Sequence, residues 1–327
     1  PEVAKLLVSL AESYESIGDK AKAELLVQRA LKIREDSFGP EHSLTCTTLS
    51  NLARIYRDLG DYERAESVLL RVLKIKESTL GPEHPDTATC WCDLASHCHN
   101  PRFDYAKAES AYLRALNIVE KTDEPEKHGV QLIVTGLAGL YLIMGEHAKA
   151  EPLFRRALAI AEQLRGPEDY DTAHALHNLA SHHLVMRDWS KAQPLVERAL
   201  SIAEKTRGPA DFITSRFRDD LAWVFEKLGE TAKAEVLYEG LLSECEKALG
   251  PEHPEIVPHL DKLATRCLLK GDMAKAHLLR QRAVCIREKA LGKDHPELAA
   301  SLVRLAGSYD LIGDKVKAEA LLERALK

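Results

Sequence analysis

Between residues 43 and 84 the apolar residues return at steps of three and four. Leu49, Leu52, Ala53 and Tyr56 share one face of a helix expected from about Thr45 to Leu59. Gly60 is placed to end it, because glycine takes up a left-handed helix cap without strain. Asp61 follows at the capping position of a second helix, which turns Ala65, Leu69, Val72, Leu73 and Ile75 inward. Gly81 and Pro82 stop that helix, and Pro85-Asp86 open the next one.

The same pattern fills the chain. The turn position after the first helix is occupied by Gly18, Gly60, Phe103, Gly145, Arg187, Gly229, Gly271 and Gly313, 42 residues apart except for one step of 43 at Phe103. The loop after the second helix follows at Gly39, Gly81, Glu124, Gly166, Gly208, Gly250 and Gly292. A period of this size predicts a stack of helix pairs. The repeats are 1–42, 43–84, 85–127, 128–169, 170–211, 212–253, 254–295 and 296–327. Each has a small residue where its two helices cross: Ala11/Ala23, Ala53/Ala65, Ala95/Ala108, Ala138/Ala150, Ala180/Ala192, Ala222/Ala234, Ala264/Ala276 and Ala306/Ala318. A larger side chain there is expected to overpack the pair by about 1–3 kcal/mol.

Departures from the pattern are local. In the third repeat SHCHNPRFDY (96–105) takes the place of RIYRDLGDY and holds the extra residue, so Pro101 is expected to end its helix early and leave an irregular joint near 100–105. Pro152 and Pro194 fall inside second helixes, where each removes one backbone hydrogen bond, whereas Pro258 falls near a helix start. Gly240 lies inside the second helix of the sixth repeat and suggests a close approach to a neighbour.

The sequence L-A-x-x-Y, a glycine, then A-x-x-x-L-x-x-A-L resembles the tetratricopeptide repeat, whose usual period is about 34 residues. The longer unit and its linker are similar to the kinesin-light-chain type: GPEHP at 81–85 and 250–254, GKDHP at 292–296, LSNLARIY at 49–56 and LHNLASHH at 176–183. The resemblance covers all 327 residues. It implies an all-α, right-handed superhelical solenoid of eight helix-turn-helix units forming one domain, whose first helices line a concave groove that holds a peptide or partner element. The residue before each Leu-Ala pair then faces the groove: Ser9, Asn51, Asp93, Gly136, Asn178, Asp220, Lys262 and Arg304. In the kinesin-light-chain type this place is mostly asparagine, matched by Asn51 and Asn178, and an arginine follows the helix tyrosine, matched by Arg57 alone. The mismatches argue against a motor-adaptor cargo peptide. The expected partner-binding residues are Asn51, Arg57, Asp93, Asn178, Asp220, Trp223, Lys262, Arg266 and Arg304, with Trp223 as an aromatic platform and Arg266 reinforcing a basic end.

Composition narrows the function. The net charge of −6 argues against general nucleic-acid binding, although residues 254–327 hold 14 Lys and Arg against 10 Asp and Glu. No apolar run reaches membrane-spanning length. Seven cysteines, an odd number at helical positions, read as reduced thiols of a cytoplasmic protein. Cys90, Cys92, His97, Cys98 and His99 are crowded in sequence, as are His174, His177, His182 and His183, yet neither group has the spacing of a metal site, and Cys98 and His183 replace the core tyrosine. No nucleophile with an orienting base, phosphate-cradling loop or positioned carboxylate pair stands out, so neither catalysis nor a cofactor is expected. The chain begins inside a linker and stops inside a helix, which suggests a piece of a longer protein. The expected function is therefore a protein-interaction scaffold. The alternative is a sensor or regulatory arm of a larger signalling ATPase or caspase-like protease, with other domains of the parent chain as partners.

Overall fold

The computed structural model describes residues 2–99, 104–121, 127–208, 211–293 and 295–326. Among them are sixteen α-helices in eight consecutive pairs and no strand. The first helices are α1 (Glu2–Ser16), α3 (Ser43–Asp58), α5 (Pro85–His99), α7 (Lys127–Ile143), α9 (Tyr170–Val185), α11 (Phe212–Lys227), α13 (Val257–Leu269) and α15 (Pro296–Ile312). The second helices are α2 (Lys20–Phe38), α4 (Tyr62–Leu80), α6 (Tyr105–Glu120), α8 (His147–Arg165), α10 (Trp189–Thr206), α12 (Thr231–Leu249), α14 (Met273–Leu291) and α16 (Lys315–Ala325). The pairs group into two compact units, Pro1–Pro167 and Glu168–Lys327. Within each unit every second helix packs against its own first helix and against the first helix of the next pair.

The turns explain the period. Gly60 adopts φ +81°, its N–H donates to the Arg57 carbonyl, and the Asp61 N–H reaches back to the Tyr56 carbonyl at 2.8 Å. This closes the end of α3 with the paired bonds of a glycine cap. The Asp61 carboxylate then accepts the Arg64 N–H at the start of α4. Arg187 occupies the same left-handed place at φ +57°, the one non-glycine residue among those described with a positive φ. The linker histidines have a local task as well: the Nδ1 atoms of His42, His84, His253 and His295 each accept the N–H two residues on and cap the following helix.

The paired alanines are buried in every repeat, at 6% exposure or less. Cys98 and His183 are buried in the core tyrosine position. Helices α8 and α10 run unbroken through Pro152 and Pro194. Pro258 sits in the first turn of α13, just after a 3-10 turn at Pro254–Ile256. Phe103, Glu124 and the Pro101 joint lie outside the described residues. One expectation is corrected. Gly240 marks no close approach, because a Cβ added there meets nothing within 4 Å and α12 is continuous across it. The close approach is instead at Gly136, where a Cβ would come within 2.7 Å of the Tyr112 ring.

Candidate functional site

The first helices leave one polar face uncovered. Its residues sit beside buried Leu-Ala pairs, such as Leu52-Ala53, Leu94-Ala95, Leu179-Ala180 and Leu263-Ala264. Ser9, Asn51, Asp93, Gly136, Asn178, Asp220, Lys262 and Arg304 are all at least partly exposed, as helical periodicity requires next to a buried stripe.

In the N-terminal unit three of the expected residues meet. Asn51, Arg57 and Asp93 line one cavity of about 230 Å³, together with Ser50, Arg54 and His97. Within the described residues the side chains of Asn51, Arg57 and Asp93 make no hydrogen bond. Arg54 is tied to Glu15 at 2.8 Å and so forms a fixed wall. Crowding by protein raises the pKa of the Asp93 carboxyl, and the Arg57 guanidinium opposes that shift. The site therefore offers an amide, a cation and a carboxylate to one small volume. Such a set donates to and accepts from a peptide group.

The C-terminal unit is organised differently. His177 Nε2 lies 2.7 Å from Asp220 Oδ2, and the His177 ring stacks on Phe217 with centroids 4.5 Å apart. Lys262 pairs with Asp219 at 2.7 Å and Arg304 with Asp261 at 2.7 Å, while Arg266 is closed against Glu226. Each cation of the expected basic end is thus answered by a carboxylate of the preceding repeat. Asn178 keeps its side chain free of hydrogen bonds among the described residues. Trp223, 37% exposed, stands edge-on to Trp189 at 4.9 Å, and Lys227 lies over its ring. With Leu184, Val185 and Arg187 these residues border a cleft of about 480 Å³. Trp189 gave no sequence signal, because it belongs to a second helix and meets Trp223 only through packing.

Of the two clusters, Cys90, Cys92, His97, Cys98, His177, His182 and His183 are buried, and His174 is partly exposed. Burial pushes the Cys90 and Cys92 thiols up to about 12, which holds them protonated. No group of three His, Cys, Asp or Glu among the described residues is arranged to hold a metal. No helix among them is long and apolar enough to cross a membrane. Sequence reading did miss one pair: Cys245 Sγ lies 3.6 Å from His259 Nε2, on the wall of a cavity of about 550 Å³. The signal was the repeat register, since these two positions carry quite different residues in other repeats.

Comparisons with known proteins agree with this architecture. A family model described as tetratricopeptide repeat matches residues 2–78, 44–121, 130–205 and 171–243, and a second of the same description matches 260–297. No curated protein sequence matches the chain. Among solved structures, BtubC (BKLC) from P. vanneervenii is 24% identical with a TM-score of 0.57, covering 68% of this chain and 89% of that one. A variant of a putative kinesin light chain with nearly identical TPR-like repeats, from Podosopora anserina, is 24% identical with a TM-score of 0.53, covering 63% and 98%. Aspartyl phosphate phosphatase F from Bacillus subtilis is 14% identical with a TM-score of 0.55, covering 92% and 74%. At these identities the likeness is one of fold.

Proposed function

This chain belongs to the tetratricopeptide repeat family, and from that premise we propose that it is a non-catalytic protein-interaction module that holds a peptide or partner element along its first helices. The observation that carries this reading is the cavity formed by Asn51, Arg57 and Asp93, three polar side chains with no internal hydrogen-bond partner. Polar side chains held next to one another without partners are available to a ligand at little cost in reorganisation. Asn51 supplies both donor and acceptor to a peptide backbone, while Arg57 and Asp93 set the charge pattern the ligand must complement. In the C-terminal unit Asn178 and the Trp223 platform are the corresponding contacts. Asp220, Lys262, Arg266 and Arg304 contribute less there, because a ligand must first compete with their internal partners.

The test is selection of a displayed random-peptide library on the intact chain, followed by calorimetry with the enriched peptide. Asn51→Ala combined with Arg57→Ala and Asp93→Ala is expected to weaken binding by tenfold or more, about 1.4 kcal/mol. Circular dichroism checks that the variant still folds. Unchanged affinity, or enrichment of peptides that bind the triple variant equally well, would remove the groove from the function.

A further inference from the structure

The first and last joints between repeats are stapled by an arginine at one register position, which holds Lys76, Val119, Ala161 and Ala203 at the joints between. In the first joint Arg34 of α2 donates to the Leu44 carbonyl at 2.9 Å and to Thr48 Oγ1 at 2.5 Å in α3. In the last joint Arg287 of α14 donates to Ser301 Oγ in α15. The repeat period puts Cys245 of α12 at the arginine position and His259 of α13 at the hydroxyl position of the joint between the sixth and seventh repeats. A thiol is much shorter than a guanidinium. At this joint the space beside it is open, as the cavity of about 550 Å³. That volume is in the range of small-molecule sites. Phe212, Leu249 and Pro258 supply apolar wall, and Arg216 and Glu255 lie at its exposed edge, while two further lining carboxylates, Asp219 and Glu244, are paired with Lys262 and Arg218.

Cys245 differs from the other cysteines. Cys46, Cys90, Cys92, Cys98 and Cys267 are buried in packed helices, and Cys285 is exposed. Cys245 alone is half-buried and faces an imidazole nitrogen, at 3.6 Å. Burial raises the Cys245 pKa and lowers that of His259, so the resting pair is a neutral thiol beside a neutral imidazole. The thiolate is the reactive form, and a neutral imidazole in contact with the thiol is the base that produces it. Asp219 favours the imidazolium once it forms, against the nearby Lys262.

We propose that Cys245 is a site of mixed-disulfide formation with a small zwitterionic disulfide of the amino-acid or glutathione class, admitted to this cavity, with His259 as the proton acceptor. His259 Nε2 takes the Cys245 thiol proton, and Sγ attacks one sulfur of the small disulfide. The Sγ–S bond forms as the small disulfide's S–S bond breaks, and the departing thiolate takes the proton from His259. One disulfide is exchanged for another, with no net oxidation. The attached group then fills the joint as an arginine fills the first and last joints, with its carboxylate near Arg216 and its ammonium near Glu255.

The experiment exposes the intact chain to oxidised glutathione, quenches with acid, and follows occupancy of each cysteine by peptide mass mapping. Cys245 is expected to be labelled about tenfold or more faster than Cys285, although Cys285 is the more exposed. His259→Gln is expected to slow Cys245 by about tenfold or more and leave Cys285 unchanged as an internal reference. The uncharged 2-hydroxyethyl disulfide is expected to show a smaller preference for Cys245. Labelling of Cys285 first, or a Cys245 rate indifferent to His259→Gln, overturns the proposal. If His259→Gln does not fold, the ratio of the two rates in the native chain decides.

Discussion

The joint between α14 and α15 and the joint between α12 and α13 are built on the same register, yet they are opposites. At α14–α15 a nearly buried arginine, Arg287, crosses the joint to Ser301 and lies 3.7 Å from the Asp261 carboxylate. At α12–α13 a thiol and an imidazole meet at 3.6 Å and leave a cavity. The helix start adds to the difference, since α13 is preceded by a 3-10 turn bounded by Pro254, while α15 begins directly at Pro296. A repeat array is stable as the sum of its units and joints. Such an array can therefore loosen one joint, and place chemistry there, without losing the fold.

The largest effect should come from breaking the closed joint. Arg287→Ala removes a charge-assisted hydrogen bond and leaves Ser301 and Asp261 without that partner, at a cost of about 1.5–3 kcal/mol. Cys245→Ala should cost well under half of that. Urea unfolding followed by circular dichroism compares the two, and equal losses would mean that the joints are equivalent. Next in size is the transplant. Cys245→Arg with His259→Ser recreates the arginine–hydroxyl staple and is expected to stabilise the chain by about 1 kcal/mol. A loss would show that the cavity cannot seat a guanidinium.

The open joint also carries a pH dependence. Burial depresses the His259 pKa below its ordinary value of about 6.5. Below that value the unfolded chain binds the proton first, so this contribution is complete above pH 6.5 and is lost as pH falls towards the folded pKa. Asp219 and Lys262 face the same group with opposing effects, and His174 is shifted in the same direction in this unit. The fall in the urea midpoint between pH 7.5 and 5.5 should therefore shrink, without vanishing, in His259→Gln. An unchanged fall would assign it elsewhere.

The smallest effects test the backbone. Arg187→Gly relieves a left-handed residue that costs roughly 1 kcal/mol. Gly240→Ala adds a methyl where nothing lies within 4 Å and should gain about 0.5–1 kcal/mol. Melting temperature reads both, and a loss at Gly240 would reveal packing that the open space does not show.

Part of the candidate site was legible in the sequence. Asn51, Arg57 and Asp93 fall at helical spacings from the Leu-Ala pairs, and they do meet around one cavity. The basic end was read only in half. Lys262, Arg266 and Arg304 are on the expected face, but their partners Asp219, Glu226 and Asp261 come from the preceding first helix. Helical spacing says which way a side chain points and nothing about what stands opposite.

What the sequence determined by itself was therefore local: the helix pairs, the left-handed turns, the aspartate cap and the paired alanines. These depend on backbone sterics and on contacts within one repeat, and a 42-residue period repeats them. Only the tertiary structure decided how side chains of adjacent repeats answer one another. That is why the His177–Asp220 bond and the Trp189–Trp223 pair were invisible beforehand. The physical reason is that each rests on the offset between neighbouring helices, which only their packing sets.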